Sequence, residues 1–365
     1  MRTGLTSRCR TFELMSAQRE HTIAILGLGY VGLPLAVAFS KKYKTLGFDI
    51  NAEKAALIAS GVDPTNELES DQLSHALQSH LQITADPTLL ASCNTFIITV
   101  PTDINPDKSP NLEPLIAASN LVGTYLKKGD LVIYESTTYP GCTEEVCVPI
   151  LSEKSNLVFN EDYKVGYSPE RINPGDKQRN VTNILKVTSG STLEAGREVD
   201  ALYNAIITAG THLAPSIKVA EAAKAIENAQ RDVNISFINE LALIFDKLHI
   251  DTGDVLAAAG TKWNFLPFKP GLVGGHCISV DPYYLAHKAQ EVGHDPQVIL
   301  SGRRINDSMG LHVASSVVKL LHQKDLPVKG GRALILGLAF KENTGAVRNS
   351  KVVDVYQELI SFGMD

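Results

Sequence analysis

The chain has 365 residues, 44% of them apolar and 20% charged, with 27 glycines and 17 prolines. That length suits two or three domains with real cores, and the ordinary globular usage excludes a disordered, collagen-like or coiled-coil chain. A net charge of −6 without any Lys/Arg block lacks the footprint of a nucleic-acid binder, and no run approaches the roughly 18 apolar residues that cross a bilayer.

Residues 1–20 carry Arg and Ser but no apolar stretch of a secretory signal; they read as a disordered tail in which Met15 offers a second start. The five cysteines, at 9, 93, 142, 147 and 277, form neither a CxxC pair nor a His/Cys ligand spacing. Neither a metal site nor a disulfide framework is expected, and the pattern suits the reducing cytoplasm.

From His21 onward short β-branched runs alternate with helical patterns. Strands are expected at 22–26, 44–49, 94–100, 130–136, 164–168 and 184–190, and helices at about 33–42, 52–60, 112–126, 143–153 and 193–206. Such alternation implies βαβ units, so residues 21–206 read as one Rossmann-like α/β domain with a doubly wound parallel sheet. After Pro215, placed as a first-turn helix residue, a segment free of Gly and Pro runs to Gly253. Val219, Ala223, Ile226, Val233, Phe237, Leu241 and Ile244 recur there at steps of mostly three and four, the mark of a long amphipathic helix able to pack on a twin. It opens a central helical domain, 207–322. In the last segment, 323–365, RALILGLAF (332–340) restarts a strand–loop–helix pattern. One strand and one helix cannot close a sheet, so this α/β domain is expected to be partial.

GLGYVG places Gly27, Gly29 and Gly32 between the strand TIAIL and a helix, the arrangement that lets a backbone approach a pyrophosphate at a helix N-terminus. Asp49 ends the second strand 22 residues after Gly27, where an acid takes a ribose 2′-hydroxyl and repels a 2′-phosphate. The expected cofactor is NAD.

Further along, ESTTYPG (135–141) ends a strand with Thr137 at the carboxyl edge of the sheet, where such sheets bind ligands. Cys277 follows Gly274, Gly275 and His276, and Asp281 stands four residues later. A cysteine so flanked is open to a substrate, though buried packing is the commoner fate of a lone thiol. Lys224 and Asn228 share a helix face, which by itself reads more readily as a solvated stripe than as a site, as Glu170 in SPERINPG reads more readily as a loop acid.

Taken together, the chain order GLGYVG, ESTTYPG, SPERINPG, KAIEN, GGHC-x-x-x-D, GLAFK resembles the nucleotide-sugar 6-dehydrogenase (UDP-glucose/GDP-mannose dehydrogenase) family, and the wording looks most like bacterial members acting on UDP-N-acetylglucosamine or UDP-N-acetylgalactosamine for capsule, Vi-type or O-antigen polysaccharides. UDP-N-acetylmannosamine and UDP-glucose are the alternative substrates. The resemblance implies a homodimer and a Cys277 nucleophile surrounded by Lys224, Asn228, Asp281, Thr137 and Glu170. It takes the cofactor to Leu28, Tyr30 and Val31 as well as the three glycines, and to Thr99, Pro101, Thr102, Ser136 and Thr137. For the sugar nucleotide it implies Arg171, Asn173, Lys224, Asn228, Lys269, Gly271 and Arg303, with Lys341 and Arg348 from the last segment. Its chemistry explains the thiol: four electrons leave in two hydride transfers, and a thiol adduct of the aldehyde permits the second, leaving a thioester for water. Asp281 with a water on Thr137 would accept the alcohol proton, Lys224 and Asn228 would hold oxyanions, and Glu170 would activate the hydrolytic water. The chain departs from the pattern at Ala346, where an acid usually precedes the arginine by two, and in its short last segment. A two-electron alcohol dehydrogenase of the 6-phosphogluconate type would need no such cysteine; an inactive binding partner is the reading of another class.

Overall fold

The computed structural model describes residues 20–172, 179–275, 278–339, 347 and 349–365. In chain order it begins β1 (Thr22–Leu26), α1 (Gly32–Ser40), β2 (Lys44–Phe48), α2 (Ala52–Ala59), α3 (Ser70–Leu77), β3 (Leu81–Thr84) and β4 (Thr95–Ile98). A small ribbon, β5 (Asp103–Ile104) and β6 (Pro110–Asn111), precedes α4 (Glu113–Tyr125), β7 (Leu131–Tyr134), α5 (Val148–Ser155), β8 (Lys164–Tyr167), β9 (Lys186–Gly190), α6 (Leu193–Asn204) and β10 (Thr211–Leu213). The helices α7 (Ile217–Leu248), α8 (Thr252–Ala259), α9 (Asp281–Glu291), α10 (Gln297–Gln323) and α11 (Val352–Ser361) complete it.

Among the described residues eight strands form one sheet, in the order β10-β9-β8-β7-β4-β1-β2-β3. Alternate residues of β1 show why: Ile23 and Ile25 join the core on one face, Ala24 and Leu26 the core on the other. Both faces are buried, as helix crossovers require. The expectation of a wholly parallel sheet needs correction at one pairing. β9 runs antiparallel to β8, with Gly166 opposite Gly190 and Tyr167 opposite Ser189. The described part of the 168–185 connection contains no helix, and without a crossover helix a strand returns antiparallel. β10 then pairs parallel with β9, so the sheet ends at Leu213.

Ser216, not Pro215, begins the long helix: its side chain accepts from the N–H of Val219 at 3.3 Å, and Pro215 stands just before it. α7 lies along α9 and α10. Its buried residues are Ile217, Ala220, Glu221, Lys224, Ala225, Asn228, Ala229, Asp232, Ser236, Ile238 and Asn239, while Val219, Ile226, Phe237 and Ile244 of the apolar seam are exposed. The polar stripe through Glu221, Lys224, Asn228 and Asp232 therefore faces inward, and four members of the apolar seam face outward.

In the last segment, α11 packs on α10 through Ala314, Val355, Leu359 and Met364. Residues 332–339 form no strand, contrary to expectation, and leave Leu334 and Leu336 about 85% exposed. Among the described residues no neighbouring strand accepts their hydrogen bonds, and a strand does not stand without one.

Candidate functional site

The carboxyl ends of β1, β2, β4 and β7 open onto a cavity of about 740 Å³ that Glu170 and Asp281 also line. On its cofactor side, Gly27 has φ +93°, a conformation that costs glycine nothing. A Cβ on Gly32 would lie 1.9 Å from the Gly27 carbonyl, so only glycine lets α1 start this close to the turn. Gly29 has open space where a side chain would stand, and no side chain caps α1, which leaves its N–H donors and positive dipole end for an anion. Thr99 braces the turn by donating to the carbonyls of Leu26 and Gly27 at 3.0 and 2.7 Å. Asp49 accepts from the N–H of Leu28 at 2.9 Å, from Asn51 at 3.0 Å and from Lys54 at 2.8 Å. Burial pulls its carboxyl up, but these bonds outweigh burial and hold it below the usual range. An open glycine, an uncapped helix and an ionised acid at one wall fit a dinucleotide.

On the opposite side the chain gathers charge where water is scarce. Glu170 and Lys224 are both about 5% exposed and stand 3.7 Å apart, and the second oxygen of Glu170 has no hydrogen-bond partner among the described residues. Burial raises the Glu170 carboxyl to about 7, against the pull of Lys224 and Lys186. Asp281, the first residue of α9, accepts from the amide of Asn228, whose own oxygen accepts from Arg231. Burial raises Asp281 to about 6, with Lys224 and Asn228 opposing. Two acids poised near neutrality beside a buried ammonium group at the end of a dinucleotide cavity are equipped for proton transfer next to a hydride acceptor.

Two family models match the chain: the NAD binding domain of the UDP-glucose/GDP-mannose dehydrogenase family over residues 21–207, and its central domain over 218–308. The chain belongs to this family. It is an NAD-dependent dehydrogenase. A UDP-N-acetyl-D-glucosamine 6-dehydrogenase of Pseudomonas aeruginosa is 58% identical over 346 residues, 95% of this chain and 82% of its own. Protein CapL of Staphylococcus aureus is 54% identical over 95% of this chain and 81% of its own. Among solved structures, a UDP-D-ManNAc dehydrogenase of Pyrococcus horikoshii superposes with a TM-score of 0.86 at 32% identity, covering 93% of this chain and 81% of that one.

Within this family member, Gly27, Gly29, Tyr30, Val31, Asp49, Thr99, Pro101, Thr102, Ser136 and Thr137 line the cavity. Leu28 is buried beneath it and contributes its N–H to Asp49. Lys224 and Asn228 meet Glu170 and Asp281 as described. The remaining candidates are placed apart from this wall. Arg171 grips Glu227 of α7 with two nitrogens, at 3.3 and 2.5 Å. Gly271 exchanges both backbone bonds with the amide of Asn239, and Lys269 is exposed. Arg303, 1% exposed, is paired with Asp232 and Asp307 at 2.6 Å each, locking α7 to α10. Cys277, Asn173, Lys341, Arg348 and Ala346 lie outside the described residues.

Several residues at the site were not singled out in the sequence. Lys54 neutralises Asp49 at the cavity wall. Glu221, fully buried on α7, accepts from Thr138 at 3.1 Å, Gly141 N–H at 2.5 Å, and the N–H and hydroxyl of Thr143 at 2.9 and 2.7 Å. It ties the loop carrying Thr137 to the helix carrying Lys224. Its place at i−3 from Lys224 on the same face was the one available signal.

Proposed function

We propose that the protein oxidises C6 of UDP-N-acetylglucosamine to the carboxylate, consuming two NAD and one water and releasing two NADH, for bacterial surface polysaccharide synthesis. The observation that carries this is the buried group in which Glu170 and Asp281, both lining the cofactor cavity, are met by Lys224 and Asn228 of α7. The choice of sugar rests on the named activity of the 58% and 56% identical relatives.

The glycine turn at 27–32, the start of α1 and Asp49 would hold NAD, which when bound would supply the hydride acceptor for each of the two oxidations. Asp281, ionised above about pH 6, takes the alcohol proton with a water held by Thr137. The Cys277 thiolate adds to the aldehyde, and Lys224 and Asn228 hold the oxyanion that forms. After the second hydride leaves, the thioester carbon is attacked by water whose proton passes to Glu170; the C–S bond breaks and the thiolate is restored. A plain alcohol dehydrogenase needs neither the thiol nor a second acid.

The working form is a homodimer in the cytoplasm. The exposed seam of Val219, Ile226, Phe237 and Ile244 on α7 supports the first, and the need for a reduced Cys277 the second. The test is NADH released per mole of UDP-N-acetylglucosamine together with trapping of a Cys277 acyl-enzyme: two equivalents and a trapped adduct are expected. One equivalent without an adduct would leave only alcohol oxidation.

A further inference from the structure

Behind Glu170 lies a second buried ion pair that the reaction as written does not use. Glu135, at the end of β7, and Lys186, at the start of β9, meet at 2.7 Å with side chains 1% and 6% exposed. Tyr203 of α6 donates its hydroxyl to the other oxygen of Glu135 at 2.5 Å, and its ring lies 5.2 Å beneath the Lys186 ammonium. The pair adjoins the site: the backbone N–H of Glu170 donates to the Glu135 carbonyl at 3.4 Å, and Glu135 reaches the cavity wall. A buried ion pair is a weak device for stability, because desolvation offsets its attraction, so a pair kept at the edge of a reacting centre calls for another use.

We propose that Glu135 and Lys186, clamped by Tyr203, are positioning residues for Glu170, holding it where its free oxygen meets the hydrolytic water and setting the charge it feels. This rests on the reading of Glu170 as the base of thioester hydrolysis. The charged groups facing Glu170 are Lys224 from α7, Lys186 from β9, Glu135 from β7 and Asp281 from α9. The signs are opposite: Lys186 pulls the Glu170 carboxyl down and Glu135 pushes it up. A purely structural pair would weaken the fold when either member is changed, without moving the hydrolysis profile in opposite directions.

The test follows the second half-reaction alone. Enzyme is mixed with UDP-N-acetylglucosamine and NAD in single turnover, and decay of the Cys277 acyl-enzyme is followed by intact mass from pH 5 to 10. Lys186→Met should move the midpoint of hydrolysis up by about one pH unit, a shift ordinary for loss of one nearby charge, so that acyl-enzyme persists at pH 7 and clears at pH 9. Lys186→Arg should restore the original profile, and Glu135→Gln should move it down. Where Lys186→Met does not fold, the isosteric Glu135→Gln, which still accepts from Tyr203, tests the claim through the downward shift. Folded variants that keep the original midpoint, or move it in the same direction, overturn the positioning role while leaving the reading of Glu170 intact. An unaltered enzyme that forms no acyl-enzyme at any pH overturns both.

Discussion

Glu170 and Asp281 occupy the same dry pocket, yet their environments differ: Asp281 has the amide of Asn228, whereas one oxygen of Glu170 has no described partner. Glu170 accordingly sits higher, at about 7 against about 6. As a base it works ionised, so hydrolysis should fall as pH drops below about 7. Glu170→Gln should leave both hydride transfers in place and slow hydrolysis by about 100-fold, seen as accumulating acyl-enzyme. Stability carries the opposite sign. The folded carboxyl is raised from 4.5 to about 7, so across that window the folded state holds a proton the unfolded chain releases, and stability falls as pH rises. Glu170→Gln should therefore melt above the unaltered protein at pH 8 and level with it at pH 4. On the cofactor side, Gly32→Ala forces a methyl group onto the Gly27 carbonyl. NAD binding measured by calorimetry should be lost, with the fold destabilised by about 1–3 kcal/mol.

At the scale of elements, α7 bends the usual rule: its eleven buried residues include Glu221, Lys224, Asn228 and Asp232, and four members of its apolar seam meet solvent. A helix that must present chemistry to a site turns its polar stripe inward. Its period was legible in the sequence; its orientation was not, because a stripe of Lys and Asn looks the same whether it faces water or a pocket. Glu221 shows what the inward face does, since one carboxylate satisfies four donors of the 138–143 loop. Glu221→Ala should cost about 3 kcal/mol in urea unfolding, mostly from the donors left without a partner. The cofactor turn was readable because glycine is demanded at fixed steps. Glu135, Lys186 and Tyr203 were not, being 51 and 68 residues apart, a separation that leaves no local period. The reversal of β9 escaped for a related reason: strand propensity is blind to direction, and only the described lack of a crossover helix decides it.

Over the whole molecule, a sheet with two buried faces supplies the cofactor wall, and α7 and α9 bring Lys224, Asn228 and Asp281 against it. Nothing in the composition distinguishes this from any other α/β protein; the order of the motifs does. The exposed seam of α7 leads to an expectation about assembly: Ile226→Lys with Phe237→Asp should convert a dimer to a monomer in sedimentation, whereas unaltered protein that already sediments as a monomer would rule the dimer out. The four-electron reaction itself is tested most directly by counting NADH released per mole of UDP-N-acetylglucosamine supplied in limiting amount to this 365-residue chain. Two equivalents, with the uronic acid as product, are expected; one equivalent with an aldehyde product, or none despite bound NAD, would contradict it.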